Sequence, residues 1–150
     1  MCGISGIVHS ENIGRNLFNS IRNLEYRGYD SCGMAILRDG ELDIRKNVGG
    51  IDEVNAIEQL DKMKGDIGIA HTRWATHGKP TLNNAHPITS HETISLVHNG
   101  IITNHQELKE KLKQEGYHFQ SSTDTESIAH LLHSLLKTRT PLEALDQLKG

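Results

Sequence analysis

Cys2 is followed by Gly3-Ile4-Ser5-Gly6-Ile7-Val8, an apolar run that predicts a buried strand starting at a potential nucleophile. Removal of Met1 would place a thiol and an α-amine on one residue. An unperturbed α-amine titrates at about 7.7–8.0 and a thiol at about 8.5, so such a pair is poised near neutrality. A thiolate attacking a carbonyl carbon, with the neutral amine taking the proton directly or through one water, is nucleophilic catalysis with a built-in base. Position alone favours a plainer role, a small buried cysteine near a chain start. Cys32, in Ser31-Cys32-Gly33-Met34-Ala35, reads as a small buried thiol, and two cysteines make no disulfide framework.

Four other clusters carry polar chemistry: Tyr26-Arg27-Gly28-Tyr29-Asp30-Ser31, His71-Thr72-Arg73-Trp74-Ala75-Thr76-His77-Gly78, Val97-His98-Asn99-Gly100 and Ser122-Thr123-Asp124-Thr125-Glu126. Each has a plain structural reading. Asn99-Gly100 as an isolated dipeptide is a tight turn. Arg73 suits a surface ion pair, and a carboxylate at Asp124 in the first turn of a helix is favourable without any ligand. Trp74 is the only tryptophan and falls on a polar stretch rather than an apolar stripe. Ten histidines raise the question of a metal, with His130 and His133 at helical spacing and His71, His77, His86 and His91 around one polar segment. No Cys-x-x-Cys or His-Glu-x-x-His element supplies a recognisable ligand set, so no metal and no cofactor are expected. His71 and His98 resemble partners for a Cys–His pair. A base on the α-amine would require neither.

The elements that must position these residues are legible as apolar runs between turn residues. Strands are expected at Ile4–Val8, Gly33–Leu37, Leu42–Val48, Ile67–His71 and Ile94–His98, several of them buried on both faces. Leu17, Ile21 and Leu24 share one helical face, as do Val54, Ile57 and Leu60. A third helix opens at Asn104 with Glu107 in the capping-box position and stops before Gly116. A fourth is capped by Thr123 with Glu126 completing the box, which puts Asp124 in its first turn. Thr140-Pro141-Leu142-Glu143 signals a fifth. Residues 72–93, rich in polar and turn residues, read as a long functional loop.

The 150 residues suffice for one domain with a real core. With 16 basic and 19 acidic residues, a net charge of −3 and few aromatics, the chain has no footprint for nucleic acid. No signal-peptide layout and no apolar run of membrane-spanning length is present, so a cytoplasmic location away from membranes is expected.

Taken in order, the clusters resemble the N-terminal glutaminase domain of the glucosamine-6-phosphate synthase family, class II amidotransferases. The resemblance runs across essentially the whole chain. It implies an α+β, N-terminal nucleophile (Ntn) hydrolase fold of four αββα layers, here truncated. It also implies that residues 1–150 are the N-terminal portion of that domain, with the sugar isomerase domains outside them. Hydrolysis of L-glutamine by Cys2 is the implied activity, supplying nitrogen for conversion of fructose 6-phosphate to glucosamine 6-phosphate in a full-length, homo-oligomeric enzyme. By resemblance, Asn99 and Gly100 form the oxyanion hole. Arg73 holds the glutamine carboxylate, Asp124 takes its ammonium, and Thr76 and His77 assist. Trp74 is implied as a lid that helps direct ammonia. Arg27 braces Cys2 and the Asn99 turn, although a buried structural arginine fits the motif nearly as well. Two alternatives stand beside this reading: a truncated module without turnover, and the glutaminase domain of another class II amidotransferase.

Overall fold

The computed structural model describes residues 2–9, 12–74 and 79–148. Their elements are β1 (Gly3–Val8), α1 (Gly14–Arg22), β2 (Ser31–Arg38), β3 (Glu41–Val48), α2 (Ile51–Glu58), β4 (Ile67–Arg73), β5 (Ile88–Ser90), β6 (Ile94–Leu96), α3 (His105–Gln114), α4 (Thr125–Leu136) and α5 (Pro141–Asp146). A four-stranded antiparallel sheet has the order β1-β4-β2-β3, and β5 and β6 form a second, two-stranded sheet. Among the described residues, no helix is long and apolar enough to cross a membrane.

Strand alternation sends the two faces of the large sheet to different layers. Cys32, Met34, Ile36 and Ala70 point into a core with Leu17, Phe18 and Ile21 of α1 and Ile51 and Val54 of α2. Burying each large side chain there stabilises by roughly 1.5–3 kcal/mol. Cys32 meets expectation: it is buried, and burial, helped by the charge of Glu25, pushes its thiol up to about 12. The opposite face carries Gly33 and His71 towards the second sheet. A Cβ on Gly33 would collide with the His86 carbonyl oxygen and Lys46 Cβ, so glycine permits close approach of the layers. Lys46 Nζ clamps the junction by donating to the carbonyls of Ala85 at 2.7 Å and Pro87 at 2.9 Å. Helix α4 covers β5 and β6, and α3 and α5 pack against α4. The layers therefore run α, β, β, α.

Several local expectations need correction. Strand β1 is an edge strand whose Gly3, Ser5 and Ile7 face α1, while Ile4 and Val8 on the other face are 41% and 77% exposed. It is not buried on both faces. The last strand is shorter than expected, ending at Leu96. Ile57 is exposed, because α2 ends at a left-handed Gln59 that breaks the helical period and delivers Leu60 to the core from a following 3-10 turn. Neither predicted box at α3 or α4 forms. Asn104 makes no side-chain capping bond, and α4 begins after Asp124 rather than Thr123. Glu126 instead accepts from the backbone N–H groups of Gln120 and Ser121 and from the Ser121 hydroxyl, a stronger set of donors than one cap N–H. The Thr140–Glu143 box on α5 does form.

The segment expected as a loop is largely built into the layers. Thr72 and Arg73 complete β4, Leu82–Asn84 form a 3-10 turn, and 84–88 are buried. A polar segment can be buried here because its groups are satisfied internally. Besides the Lys46 clamp, Asn84 Nδ2 donates to Lys79 O and Ser122 Oγ.

Candidate active site

The sheet register brings the first residues of the chain to the end of β4. Gly3 pairs with Thr72, and Ser31 of β2 pairs with Arg73, so Cys2, Asp30 and Arg73 gather at one edge. The Trp74 backbone N–H donates to Cys2 Sγ at 3.3 Å, and the thiol lies 3.7 Å from the Trp74 carbonyl oxygen. Asn99, arriving after β6, donates from Nδ2 to the Cys2 carbonyl at 3.3 Å. Its Oδ1 stands 2.9 Å from His71 Nε2. Gly100 has φ 154°, and a Cβ there would lie 2.8 Å from His98 Nε2, so the turn needs glycine for both conformation and space.

These residues line a cavity of about 650 Å³ that also receives Arg27, Arg73, Trp74 and Asp124. Arg73 is not the surface ion-pair residue that composition allows. It is 7% exposed, with one guanidinium nitrogen 3.7 Å from Asp30 Oδ1. Asp124 stands immediately before α4 and accepts from the Ile102 N–H at 2.7 Å, tying the helix to the segment after Gly100. Arg27 follows from a 3-10 turn over Glu25–Arg27 and is exposed, which excludes the buried structural arginine. Trp74 is 51% exposed with its ring against Gly28, so it is no core residue. Thr76 and His77, expected to assist in binding, lie outside the described residues, as does Met1.

Part of the cavity wall is a histidine framework that sequence reasoning did not assemble. The rings of His71 and His86 stack at 4.4 Å. Thr125 Oγ1 bridges His86 Nε2 at 3.1 Å and His98 Nδ1 at 3.3 Å. Burial is the main force lowering His71 to about 4, against hydrogen bonds to Asn99 and the His98 backbone that favour the cation. Burial also lowers His86 to about 2, and positive charge nearby, as on Arg73 and Lys46, acts in the same direction. Both rings are neutral in the folded protein at pH 7. The unfolded chain takes up their protons near the ordinary value of 6.5, so it binds more protons below that pH and stability falls. Each ring loses about 1.4 kcal/mol per pH unit below 6.5, or about 2 kcal/mol at pH 5. Urea midpoints at pH 7 and pH 5 check this; an unchanged midpoint would contradict it. Asp30 was also missed as the partner of Arg73, because only the β2–β4 register brings them together.

The glutamine amidotransferase domain family matches residues 71–150, more than half of the chain. The chain belongs to that family. Among its relatives, the glutamine–fructose-6-phosphate aminotransferase [isomerizing] of Shewanella oneidensis is 52% identical over 147 residues, covering 98% of this chain and 24% of the relative. The enzyme of the same name from Pseudomonas putida is 52% identical over 139 residues, covering 92% of this chain and 23% of the relative. The chain thus spans about a quarter of the length of the curated relatives it matches.

Among solved structures, glutamine phosphoribosylpyrophosphate amidotransferase from B. subtilis, complexed with ADP and GMP, matches with a TM-score of 0.79 and 30% identity, covering 100% of this chain and 33% of that one. A structure described as the allosteric regulatory enzyme of purine biosynthesis matches at 0.80 and 30% identity, over 100% of this chain and 34% of that one. The amidotransferase chain has the expected α+β Ntn hydrolase fold.

Proposed function

We propose that the chain hydrolyses L-glutamine to glutamate and ammonia, with Cys2 as the N-terminal nucleophile after loss of Met1. The observation that carries this reading is the convergence of the Cys2 thiol, the Asn99 amide, Arg73 and Asp124 on one cavity. Glutamine is a zwitterion with a neutral amide at its far end, and this set matches it group for group. The thiolate attacks the side-chain amide carbon, and the α-amine moves the thiol proton to the leaving nitrogen. Ammonia departs, and water resolves the thioester to glutamate. The Asn99 side-chain amide and the Gly100 N–H receive the oxyanion in both steps. Arg73 grips the carboxylate through its planar fork and Asp124 takes the ammonium. Thr76 and His77 add polar contacts, Trp74 closes over the substrate, and Arg27 braces Cys2 and the Asn99 turn.

Identity of about one half to glutamine–fructose-6-phosphate aminotransferases supports a place in amino-sugar synthesis. In that reading residues 1–150 are the N-terminal portion of a glutaminase domain. Sugar isomerase domains elsewhere in a longer, homo-oligomeric enzyme use its ammonia to turn fructose 6-phosphate into glucosamine 6-phosphate. Two free cysteines and thiol chemistry suit a reducing cytoplasm.

The test supplies glutamine and fructose 6-phosphate to this chain with Cys2 as its first residue, and assays glutamate and glucosamine 6-phosphate separately. Glutamate without sugar product is expected. Sugar product from this chain alone would refute the division of labour, and absence of glutamate from folded, processed protein would refute the activity. Arg73→Ala and Asp124→Ala each raise KM about 10- to 150-fold, the equivalent of about 1.5–3 kcal/mol for a hydrogen bond to a charged group. Steady-state kinetics read this directly; unchanged KM in either variant removes that residue from the binding set.

A further inference from the structure

We infer that His71 is a positioning residue that fixes which end of the Asn99 amide faces the reacting carbon. The inference rests on the glutamine hydrolysis proposed above and adds a residue to it.

Amide oxygen and nitrogen are told apart only by their partners. The Cys2 carbonyl can only accept, so the Asn99 atom 3.3 Å from it is Nδ2. Oδ1 is then the atom 2.9 Å from His71 Nε2, and His71 must donate to it from Nε2–H. Nδ1 therefore carries a lone pair, and among the described residues this buried atom has no hydrogen-bond partner. Protonating it would bury an unpaired N–H and add a cation near Arg73, His98 and His86. A single tautomer results, neutral with hydrogen on Nε2.

The ring is well held for this task. His71 is 1% exposed, lies on β4 opposite Ile4 of β1 and Gly33 of β2, and stacks on His86. A donor on a rigid central strand holds Oδ1 at His71 and leaves Nδ2 towards Cys2. Without it the Asn99 amide can rotate by half a turn and present an oxygen lone pair to a developing oxyanion, which repels instead of stabilising it. His71 thus acts through Asn99, not as a base for the thiol.

The experiment compares the wild-type chain, His71→Leu and His71→Gln, all beginning at Cys2, with Cys2→Ala as the activity blank. The amide nitrogen of glutamine falls where Nε2 of histidine stands, so it can replace the lost donor. His71→Leu is expected to lower kcat at least tenfold with KM for glutamine changed less than twofold, and His71→Gln to recover most of the loss. Unchanged kcat in His71→Leu, a loss confined to KM, or no recovery in His71→Gln would overturn the inference. Nitrogen-15 NMR of the wild-type histidine rings gives a second reading independent of the variants' folding. A neutral ring with hydrogen on Nε2 from pH 7 down to pH 5.5 is expected. The Nδ1–H tautomer, or a cation in that range, would overturn it. A wild-type chain without Cys2-dependent glutamate release would refute glutamine hydrolysis instead, and the tautomer then decides the geometry of His71 and Asn99.

Discussion

Cys2→Ala abolishes glutamine hydrolysis, lowering kcat by about 10⁴-fold or more, while Cys32→Ala continues to turn over. The physical difference between the thiols is complete. Cys2 lines the cavity beside Asn99, and with Met1 removed it carries thiol and amine together. Cys32 is packed against the helices in the apolar core, where burial holds its thiol protonated to about pH 12. Removing a nucleophile that works as a unit with its base typically costs nearly everything the unit provides. The fold does not depend on the Cys2 sulfur, whose polar contacts are to the Trp74 backbone, so thermal unfolding of Cys2→Ala stays within a few degrees of wild type. A homogeneous chain retaining Met1 is inert for the same reason, since the α-amine is then an amide nitrogen and no longer a base. Paired ammonia-release assays with mass spectrometry of the N-terminus check all three proteins. Equal loss from the two cysteine substitutions, or turnover with Met1 in place, would end the assignment of Cys2.

Asn99→Ala lowers kcat by about 100- to 1000-fold and leaves KM for glutamine nearly unchanged. One oxyanion donor is worth about 2.7–4 kcal/mol, realised as negative charge grows on the carbonyl oxygen. In the proposed reading, substrate binding draws instead on Arg73 and Asp124, which line the same cavity and which the substitution leaves in place. The separation of kcat from KM therefore identifies an interaction made in the transition state. A rise in KM with kcat intact would assign Asn99 to substrate binding instead. Because His71 also loses its acceptor in Asn99→Ala, the His71→Leu change should add little on this background.

Features that depend on a few neighbouring residues were readable in one dimension. The Thr140–Glu143 box on α5 closes as the sequence predicts, since cap, proline and glutamate lie within one turn. The apolar run Gly33–Leu37 is a strand as expected, the middle of β2, and is buried through Ile36. The same reasoning failed where distant groups compete. Glu126 abandons its helical box for three donors from Gln120 and Ser121, and the polar segment around His86 is buried because Lys46 on β3 satisfies its carbonyls. No local rule describes either bargain.

For the site, the sequence by itself determined the chemistry available: a cysteine that becomes N-terminal on loss of one residue, an Asn-Gly turn, an arginine and an aspartate in motifs specific enough to indicate an amidotransferase. Tertiary structure alone decided how they are held. Cys2 and Asn99 stand 97 residues apart and meet only because β1 pairs with β4 while Asn99 returns to that edge after β6. Asp30 reaches Arg73 through the β2–β4 register, and His71 acquires a task on Asn99 because burial keeps its ring neutral and leaves Nε2–H aimed at one acceptor. Side-chain identity is a property of the chain, but protonation state, tautomer and hydrogen-bond direction belong to the environment that folding creates.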